Sequence, residues 1–483
     1  MVERLKNYIN GKWVESKAEN FLPVENPATG ETLAEVPMST QGELNEAVAA
    51  AKKAFESWRM VPAMKRVQPL FKLKDLVDDH LEELARCLTK DHGKVYREAY
   101  LEMGRTIDNI EVGTGMPTLM QGEFLTDINE NIDEQFTRVP LGVFGVISAF
   151  NFPTMISFWF IPYATATGNT CIIKPSEITP TSVDLVFQLM DKAGFPPGVI
   201  SLVHGDKDVA DAMIKHPDIA GISSVTSTPV ARHIYKTAAE YGKRVQCQAG
   251  AKNFAVVMPD ADLESAIPNI IKSVYGNTGQ RCLAISNVVG VGDIYAPLRD
   301  RIMEEAKKIR VGNGLDEDVS MGPVVTAAAK QRILGLIEKG VEEGTRLTLD
   351  GRNVSVEGCE NGHFIGPCIF EDVTPEMTVG REEIFGPVLS LWKAKDLEQA
   401  IGLVNSSRYG NSAILYTESG KTARRFHYEV ECGNIGVNIG VAAPIACFPF
   451  CGMKDSFFGD IHGQSKDAIN FFTHKKVLIS RWF

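Results

Sequence analysis

Covalent chemistry needs a nucleophile with help beside it, and one stretch of this chain offers both. In the run Tyr275–Ser286, YGNTGQRCLAIS, Cys282 follows two glycines and stands next to Arg281. The thiolate is the nucleophilic form of cysteine; a neighbouring guanidinium favours it, and glycines let a substrate approach the sulfur closely. Taken alone, a single cysteine in such a run reads first as a buried structural thiol. The chain has nine cysteines, and the others (Cys87, Cys171, Cys247, Cys359, Cys368, Cys432, Cys447 and Cys451) form no CxxC pair and no regular spacing. Neither a zinc ribbon nor a thioredoxin-like centre is therefore expected, nor any other metal site, and most of these thiols read as plain buried residues.

A nucleophile must be held by a scaffold, and 483 residues predict two or three domains with substantial cores. Hydrophobic residues at 44% and charged residues at 23% are values of a globular chain and exclude a disordered one. The net charge is 50 − 61 = −11, with the acids spread along the chain. Nucleic acid and anionic membrane both need a basic footprint, so neither is expected as a partner. The opening MVERLKNYINGKWVES lacks the apolar core of a signal peptide, and with unpaired cysteines this predicts a cytoplasmic protein. Residues 139–173 carry no charge and are long enough to span a bilayer, but Pro140, Gly142, Gly145, Asn151, Pro153, Pro162 and Asn169 interrupt them. A buried strand–turn–helix–strand passage is the expectation there.

Upstream, Leu44, Val48, Ala51, Phe55 and Trp58 recur at spacings of four and three, predicting a helix over 43–58. The charged and apolar mixture from Lys65 to Ile110 predicts further helices broken at Gly93 and Gly104. From Gly142 onward short apolar runs (143–147, 171–173, 199–203 and 219–225) alternate with helical stretches such as 182–193 and 229–241. That alternation predicts parallel βαβ units and a nucleotide-binding sheet. A second α/β series begins near 254–258 and includes 288–291, 388–392 and 413–416. The final segment, 475–482, alternates like a strand far from any sheet of its own, so it must pair with a distant segment or with another subunit.

Several ordered motifs change the weight placed on Cys282. The run GVISAFNFPTMISFWFIPYATATGNTCIIKPSE from Gly145 to Glu177, AGAKN at Ala249–Asn253, GQRC at Gly279–Cys282 and EIFGPV at Glu383–Val388 together resemble the aldehyde dehydrogenase superfamily. INGKWVES near the start, NPATGE at Asn26–Glu31 and MGPVV at Met321–Val325 extend the likeness over nearly the whole chain. The resemblance implies that Cys282 attacks an aldehyde and that Asn151, with the Cys282 backbone N–H, donates to the resulting oxyanion. It implies NAD as cofactor, held by Phe150, Phe152, Lys174, Glu177, Ser227, Glu383 and Phe385. Lys174 and Glu177 correspond to the residues on the adenosine ribose, Glu383 to the one on the nicotinamide ribose and Phe385 to the ring beside the nicotinamide. A carboxylate at 177 accepts from a ribose 2′-OH and repels a 2′-phosphate, which favours NAD over NADP.

Two departures from the superfamily pattern matter. The pyrophosphate-facing turn usually has an aromatic residue and then a glycine; here SSVTSTPVAR puts Ser224 and Thr226 at those places and Ala231 where a second glycine often sits. The hydroxyls of Thr226, Ser227 and Thr228 are left as candidates to meet phosphate at a helix N-terminus. Second, hydrolytic members carry a water-activating glutamate in an ELGGK-like segment, and the corresponding segment here is QAGAK, with Gln248 at that position. An amide takes no proton near neutral pH, so water activation is lost and a thiol acceptor is favoured. This is the pattern of the CoA-acylating methylmalonate-semialdehyde dehydrogenase branch, which Tyr241–Gln246, Glu360–Pro367 and Ser456–Asp460 also resemble. That branch binds a substrate carboxylate with two arginines, which correspond to Arg281 and Arg105; arginine suits the task because it donates two parallel hydrogen bonds. CFPFCGMK at Cys447–Lys454 departs from the branch where substrate selectivity is often set.

The resemblance thus implies an α/β chain with the aldehyde dehydrogenase-like fold. A Rossmann-like NAD-binding domain is expected over 1–123 and 141–250, an α/β catalytic domain over 251–440, and a small β oligomerisation flap over 124–140 and 470–483. Residues 441–469 would form the substrate-site loop and return segment. A homodimer or homotetramer follows from the shared flap. The expected activity is NAD-dependent oxidation of a small carboxylate-bearing semialdehyde with transfer of the acyl group to CoA, small aldehyde and CoA being the partners. A non-acylating dehydrogenase releasing free acid, and an NAD-binding protein without turnover, are the alternatives.

Overall fold

The structure is a computed structural model describing residues 2–483. Its first large sheet has eight strands in the order Phe457–Phe458, Arg244–Gln248, Ile219–Val225, Val143–Ile147, Thr170–Lys174, Ile200–Leu202, Asn7–Ile9 and Lys12–Val14. The five central strands are parallel, and the outer ones pair antiparallel. Every residue of Val143–Ile147 is buried, as a parallel strand covered on both faces requires. Phe144 and Val146 pack into one core, Val143 and Ile147 into the one on the opposite face. From Val143–Ile147 the chain winds outward through Thr170–Lys174 and Ile200–Leu202, then returns to the other side for Ile219–Val225. The order therefore reverses between Val143–Ile147 and Ile219–Val225, and such a switch point opens a crevice at the carboxyl ends of the strands.

A second sheet of seven strands runs Arg346–Leu349, Cys368–Glu371, Val388–Ala394, Ile285–Val291, Asn253–Val257, Ser412–Tyr416 and Asn434–Val437. It too is parallel except at one edge and sandwiched, with Phe254 and Val256 in one core and Ala255 and Val257 in the other. The segment that follows crosses back, and Phe457–Phe458 adds itself to the edge of the first sheet.

Most strands and helices lie within a residue or two of their sequence-based positions. The first long helix begins at Gln41, because Thr40 and Glu43 form a reciprocal capping box. Gly93 does end a helix, Leu81–His92, in the left-handed conformation with φ 91°; a Cβ there would lie 2.7 Å from Pro323. Gly104 breaks nothing: it sits inside Tyr96–Thr114, whose buried Ala99, Met103, Thr106 and Ile110 hold the helix to the core. The uncharged run 139–173 folds as a strand, two short helices (Pro153–Phe158 and Ile161–Ala166) and a strand, one helix more than expected. Pro162 opens the second helix, where its missing N–H is harmless. No helix among the described residues is long and apolar enough to cross a membrane. The terminal strand Thr473–Arg481 pairs antiparallel along its whole length with Ile132–Pro140 of its own chain, and Glu123–Asn129 completes a three-stranded sheet.

Candidate active site

Cys282 lies in the turn that enters the strand Ile285–Val291, at the amino edge of the second sheet, facing the carboxyl edge of the first. Its carbonyl accepts from Asn253 Nδ2 and Asn411 Nδ2, both at 2.8 Å, so the peptide is clamped by one residue that begins a strand and one just ahead of the neighbouring strand Ser412–Tyr416. The preceding turn is backbone under constraint. Asn277 and Thr278 are both left-handed, with φ 53° each, a conformation that costs non-glycine residues roughly 1–3 kcal/mol each. Glu98 offsets this by accepting from the Asn277 N–H at 2.9 and 2.8 Å, and the Thr278 hydroxyl donates to the Gly322 carbonyl. The glycines here serve packing instead of substrate approach: a Cβ on Gly279 would lie 2.1 Å from the Gly386 carbonyl, and one on Gly276 2.8 Å from Glu98.

Two cavities meet at Cys282, which lines both. The smaller, about 290 Å³, is walled by Phe152, Met155, Trp159, Phe448 and Phe450, with Arg105 and Arg281 as its guanidiniums. Glu98, Leu101, Glu102, Arg105 and Asn109 reach it from one face of the helix Tyr96–Thr114, at the three- and four-residue spacing of a helical stripe. The half-exposed Arg105 has only a 3.5 Å contact to Asp108. Arg281 Nη2 lies 3.2 Å from Glu98 Oε1, and its Nε is buried without a partner. The cation expected to activate the sulfur is thus already paired. Although Cys282 opens on both cavities, burial pushes its thiol up to about 12, with Glu383 adding to the rise and Arg281 opposing it. At rest it is a thiol.

Asn151 sits beyond the carboxyl end of Val143–Ile147, 3% exposed, its Nδ2 donating to the Gln280 carbonyl at 3.1 Å. Its own carbonyl accepts from Lys94 Nζ at 2.6 Å. Lys94 pairs with Glu102 at 2.7 Å, both side chains fully buried, and stands 4.1 Å from the Phe152 ring centre. Glu102 also accepts from the Thr154 hydroxyl and the Met155 N–H. This buried pair anchoring Asn151 was not legible in the sequence; nothing in GKVYREAYLE distinguishes these two charges from the solvated ones beside them.

The larger cavity, about 540 Å³, fills the switch-point crevice and is lined by Phe150, Asn151, Lys174, Glu177, Thr226, Ser227, Glu383 and Phe385, among others. Lys174 donates to the carbonyls of Pro175 and Gly205 and, at 3.0 Å, to Glu177. Its three N–H groups all have protein acceptors, so it fixes Glu177 and leaves that carboxylate facing the cleft. Ser227 caps the helix Thr228–Glu240 but makes no side-chain capping bond. The Thr226 hydroxyl is buried and unpartnered, whereas Thr228 is occupied, accepting from the Gly250 N–H and donating to the Asp455 carbonyl. Thr226 and Ser227 line the cleft and Thr228 does not, and of the three candidate hydroxyls only that of Ser227 is neither buried nor occupied. Glu383 accepts from the Ala251 N–H at 2.9 Å, and Arg332, missed in the sequence, holds the Glu383 and Ile384 carbonyls. Phe150 and Phe385 meet edge to face at 5.8 Å. Phe152, expected beside the cofactor, stands instead in the smaller cavity, because the chain turns at Asn151 into the helix Pro153–Phe158 that runs along it.

Gln248 ends the strand Arg244–Gln248 and lines neither cavity. Its Nε2 donates to the Phe450 carbonyl at 3.0 Å, while Oε1 is buried without a partner.

Comparison with known proteins agrees with this geometry. Residues 13–478 match the aldehyde dehydrogenase family. The chain is 48% identical over 482 residues to malonate-semialdehyde dehydrogenase 2 of Geobacillus kaustophilus, covering 100% of this chain and 99% of that one. The crystal structure of methylmalonate-semialdehyde dehydrogenase from Oceanimonas doudoroffii superposes with a TM-score of 0.98 at 37% identity, covering 100% and 99% of the two chains. An NAD+ complex of aldehyde dehydrogenase from Bacillus cereus superposes with a TM-score of 0.95 at 32% identity, covering 100% and 97%. With a clamped cysteine between a dinucleotide-sized crevice and an arginine-bearing cavity, and this likeness along its length, the chain belongs to the aldehyde dehydrogenase family.

Proposed function

We propose that the protein oxidises a small carboxylate-bearing semialdehyde, malonate semialdehyde or its methyl homologue, with NAD, and passes the acyl group to CoA. The observation that carries this reading is the position of Cys282 as the shared floor of the two cavities, one with Arg105 and Arg281, the other with Glu177 and Glu383. The crevice fits a dinucleotide. Glu177 stands near one end, the free Ser227 hydroxyl lies at a helix N-terminus, and Glu383 with Phe385 flanks Cys282. Held by these residues, NAD would supply the hydride acceptor for oxidation at the Cys282 adduct.

In this reading Arg105 and the unpaired Nε side of Arg281 receive the carboxylate and aim the aldehyde carbon at Cys282. The sulfur attacks as thiolate; because burial holds the thiol high, its proton passes to solvent through the cavities on which Cys282 opens as the adduct forms. Asn151 Nδ2 and the Cys282 N–H donate to the oxyanion, a contribution of roughly 3–4 kcal/mol for such a donor. The Lys94–Glu102 pair keeps Asn151 in place. After hydride loss the acyl group is a thioester on Cys282. Gln248 supplies no base for water, so a thiol, already nucleophilic, is the acceptor.

The eight-stranded sheet with the helices before it is read as the NAD-binding domain, the seven-stranded sheet as the catalytic domain and residues 441–469 as the substrate loop. The three-stranded sheet is read as the flap of a cytoplasmic homodimer or homotetramer, its Val477, Leu478, Ile479 and Trp482 exposed for a partner. The test is a panel of semialdehydes and neutral aldehydes with NAD, with and without CoA, following NADH and identifying the product. Acyl-CoA formed best from carboxylate-bearing semialdehydes is expected; free acid formed at the same rate without CoA overturns the reading.

A further inference from the structure

We infer that Gln248 is a positioning residue whose side-chain amide fixes Phe450, and with it the aromatic wall that closes the aldehyde cavity. The inference rests on the reading of the smaller cavity as the aldehyde site. Residues 438–452 contain neither helix nor strand, so their peptide groups have no ladder to satisfy them, and side-chain amides take that part. The Phe450 peptide is held from both sides: Gln248 donates to its carbonyl at 3.0 Å, and Gln464 Oε1 accepts from its N–H at 3.0 Å. All three residues are buried, at 4%, 6% and 5% exposure for Gln248, Gln464 and Phe450. Next along the chain, the Cys451 carbonyl accepts from Asn434 at 2.6 Å.

Fixing this peptide fixes the ring. Phe450 lies 4.8 Å from Trp159, centre to centre, and both rings line the cavity with Cys282. The bond has a required direction, because a carbonyl can only accept and the partner must donate. An amide does so at every pH, whereas an ionised carboxylate at 248 would set acceptor against acceptor in a buried place. The position that carries the water-activating glutamate in hydrolytic members thus has a different task here, and that task demands an amide.

The test compares the parent with Gln248→Met, which keeps length and bulk without a donor, and Gln248→Glu, which donates only when protonated. The readout is the NADH burst, which precedes the acceptor step and so does not depend on whether CoA or water completes the reaction. In Gln248→Met the KM for a small semialdehyde is expected to rise about tenfold, with a smaller fall in the saturated burst rate and a smaller KM change for a bulky aldehyde. In Gln248→Glu the same rise is expected at pH 8.5 and should shrink, relative to the parent, as the pH is lowered to 6. Equal KM values in parent and variants overturn the inference. So does a loss in Gln248→Glu that does not change with pH, because a general loosening of the fold would produce that. Free acid in place of acyl-CoA from the parent would refute the proposed acceptor while leaving the burst comparison intact.

Discussion

Lys94→Met is the perturbation that reports most on how the site is built. Lys94 and Glu102 are fully buried 2.7 Å apart, where an effective dielectric of about 20 gives an attraction of roughly 6 kcal/mol. Much of that offsets the cost of removing both charges from water, so the pair itself contributes little net stability. Removing one partner is different, because Glu102 keeps its desolvation and loses its cation; such a loss amounts to about 3–5 kcal/mol. Thr154 and Met155 still donate to Glu102, which places the expected value near about 3 kcal/mol. Replacing both partners, Lys94→Met with Glu102→Leu, should recover at least about 2 kcal/mol relative to the sum of the single losses. Urea unfolding followed by tryptophan fluorescence measures the cycle. Activity should not recover with stability: Lys94 Nζ also holds the Asn151 carbonyl at 2.6 Å, and a displaced oxyanion donor lowers the burst rate by about 10–100-fold in both the single Lys94 variant and the double. Single losses that add within about 0.5 kcal/mol, or a burst rate within twofold of the parent, would refute the reasoning.

Other outcomes follow from the same geometry. Because burial raises the Cys282 thiol to about 12, its thiolate fraction grows about tenfold per pH unit well below that value. Alkylation of the Cys282 peptide in the free enzyme, read by mass spectrometry, should climb steadily from pH 7 to 9, and a plateau near pH 8 would show the thiol is not held high. Arg105→Leu should raise the KM of carboxylate-bearing semialdehydes by about 10–150-fold, the worth of one charge-assisted hydrogen bond, and change neutral aldehydes of equal length far less; equal losses for both would remove Arg105 from the substrate site. Glu177→Gln should narrow the preference for NAD over NADP in kcat/KM, and a parent equally efficient with both would show that Glu177 does not read the ribose.

What could be read in the sequence was what local pattern and spacing dictate. The short continuous apolar runs 143–147 and 219–225, alternating with helical stretches, locate the buried parallel strands, because a strand covered on both faces needs apolar residues on both sides. Arg105 is legible only through the family resemblance; that it shares a helical face with Glu98 and Asn109, so that one helix delivers several side chains to one cavity, is seen in the structure. Gly104 misled because a glycine lowers helix propensity by about 1 kcal/mol, less than the packing of Met103 and Thr106 supplies. Phe152 lines the smaller cavity and not the crevice because a turn of backbone at Asn151, invisible in composition, decides which side its ring takes. The hold of Lys94 on Asn151, the Arg332 clamp and the Gln248–Phe450 bond share one cause of invisibility: each joins residues distant in the chain, and a charged or amide residue carries no local mark of being buried.

If the acyl group waits on Cys282 for a thiol, a single turnover without CoA must leave it there. The enzyme is mixed with NAD and semialdehyde, quenched after the NADH burst, and its Cys282 peptide weighed, with Cys282→Ala as the control lacking the nucleophile. An acyl adduct on that peptide is expected, one that persists without acceptor and is discharged as acyl-CoA when CoA is added. Free acid released in step with NADH, with no adduct on Cys282 and no effect of CoA, would contradict it.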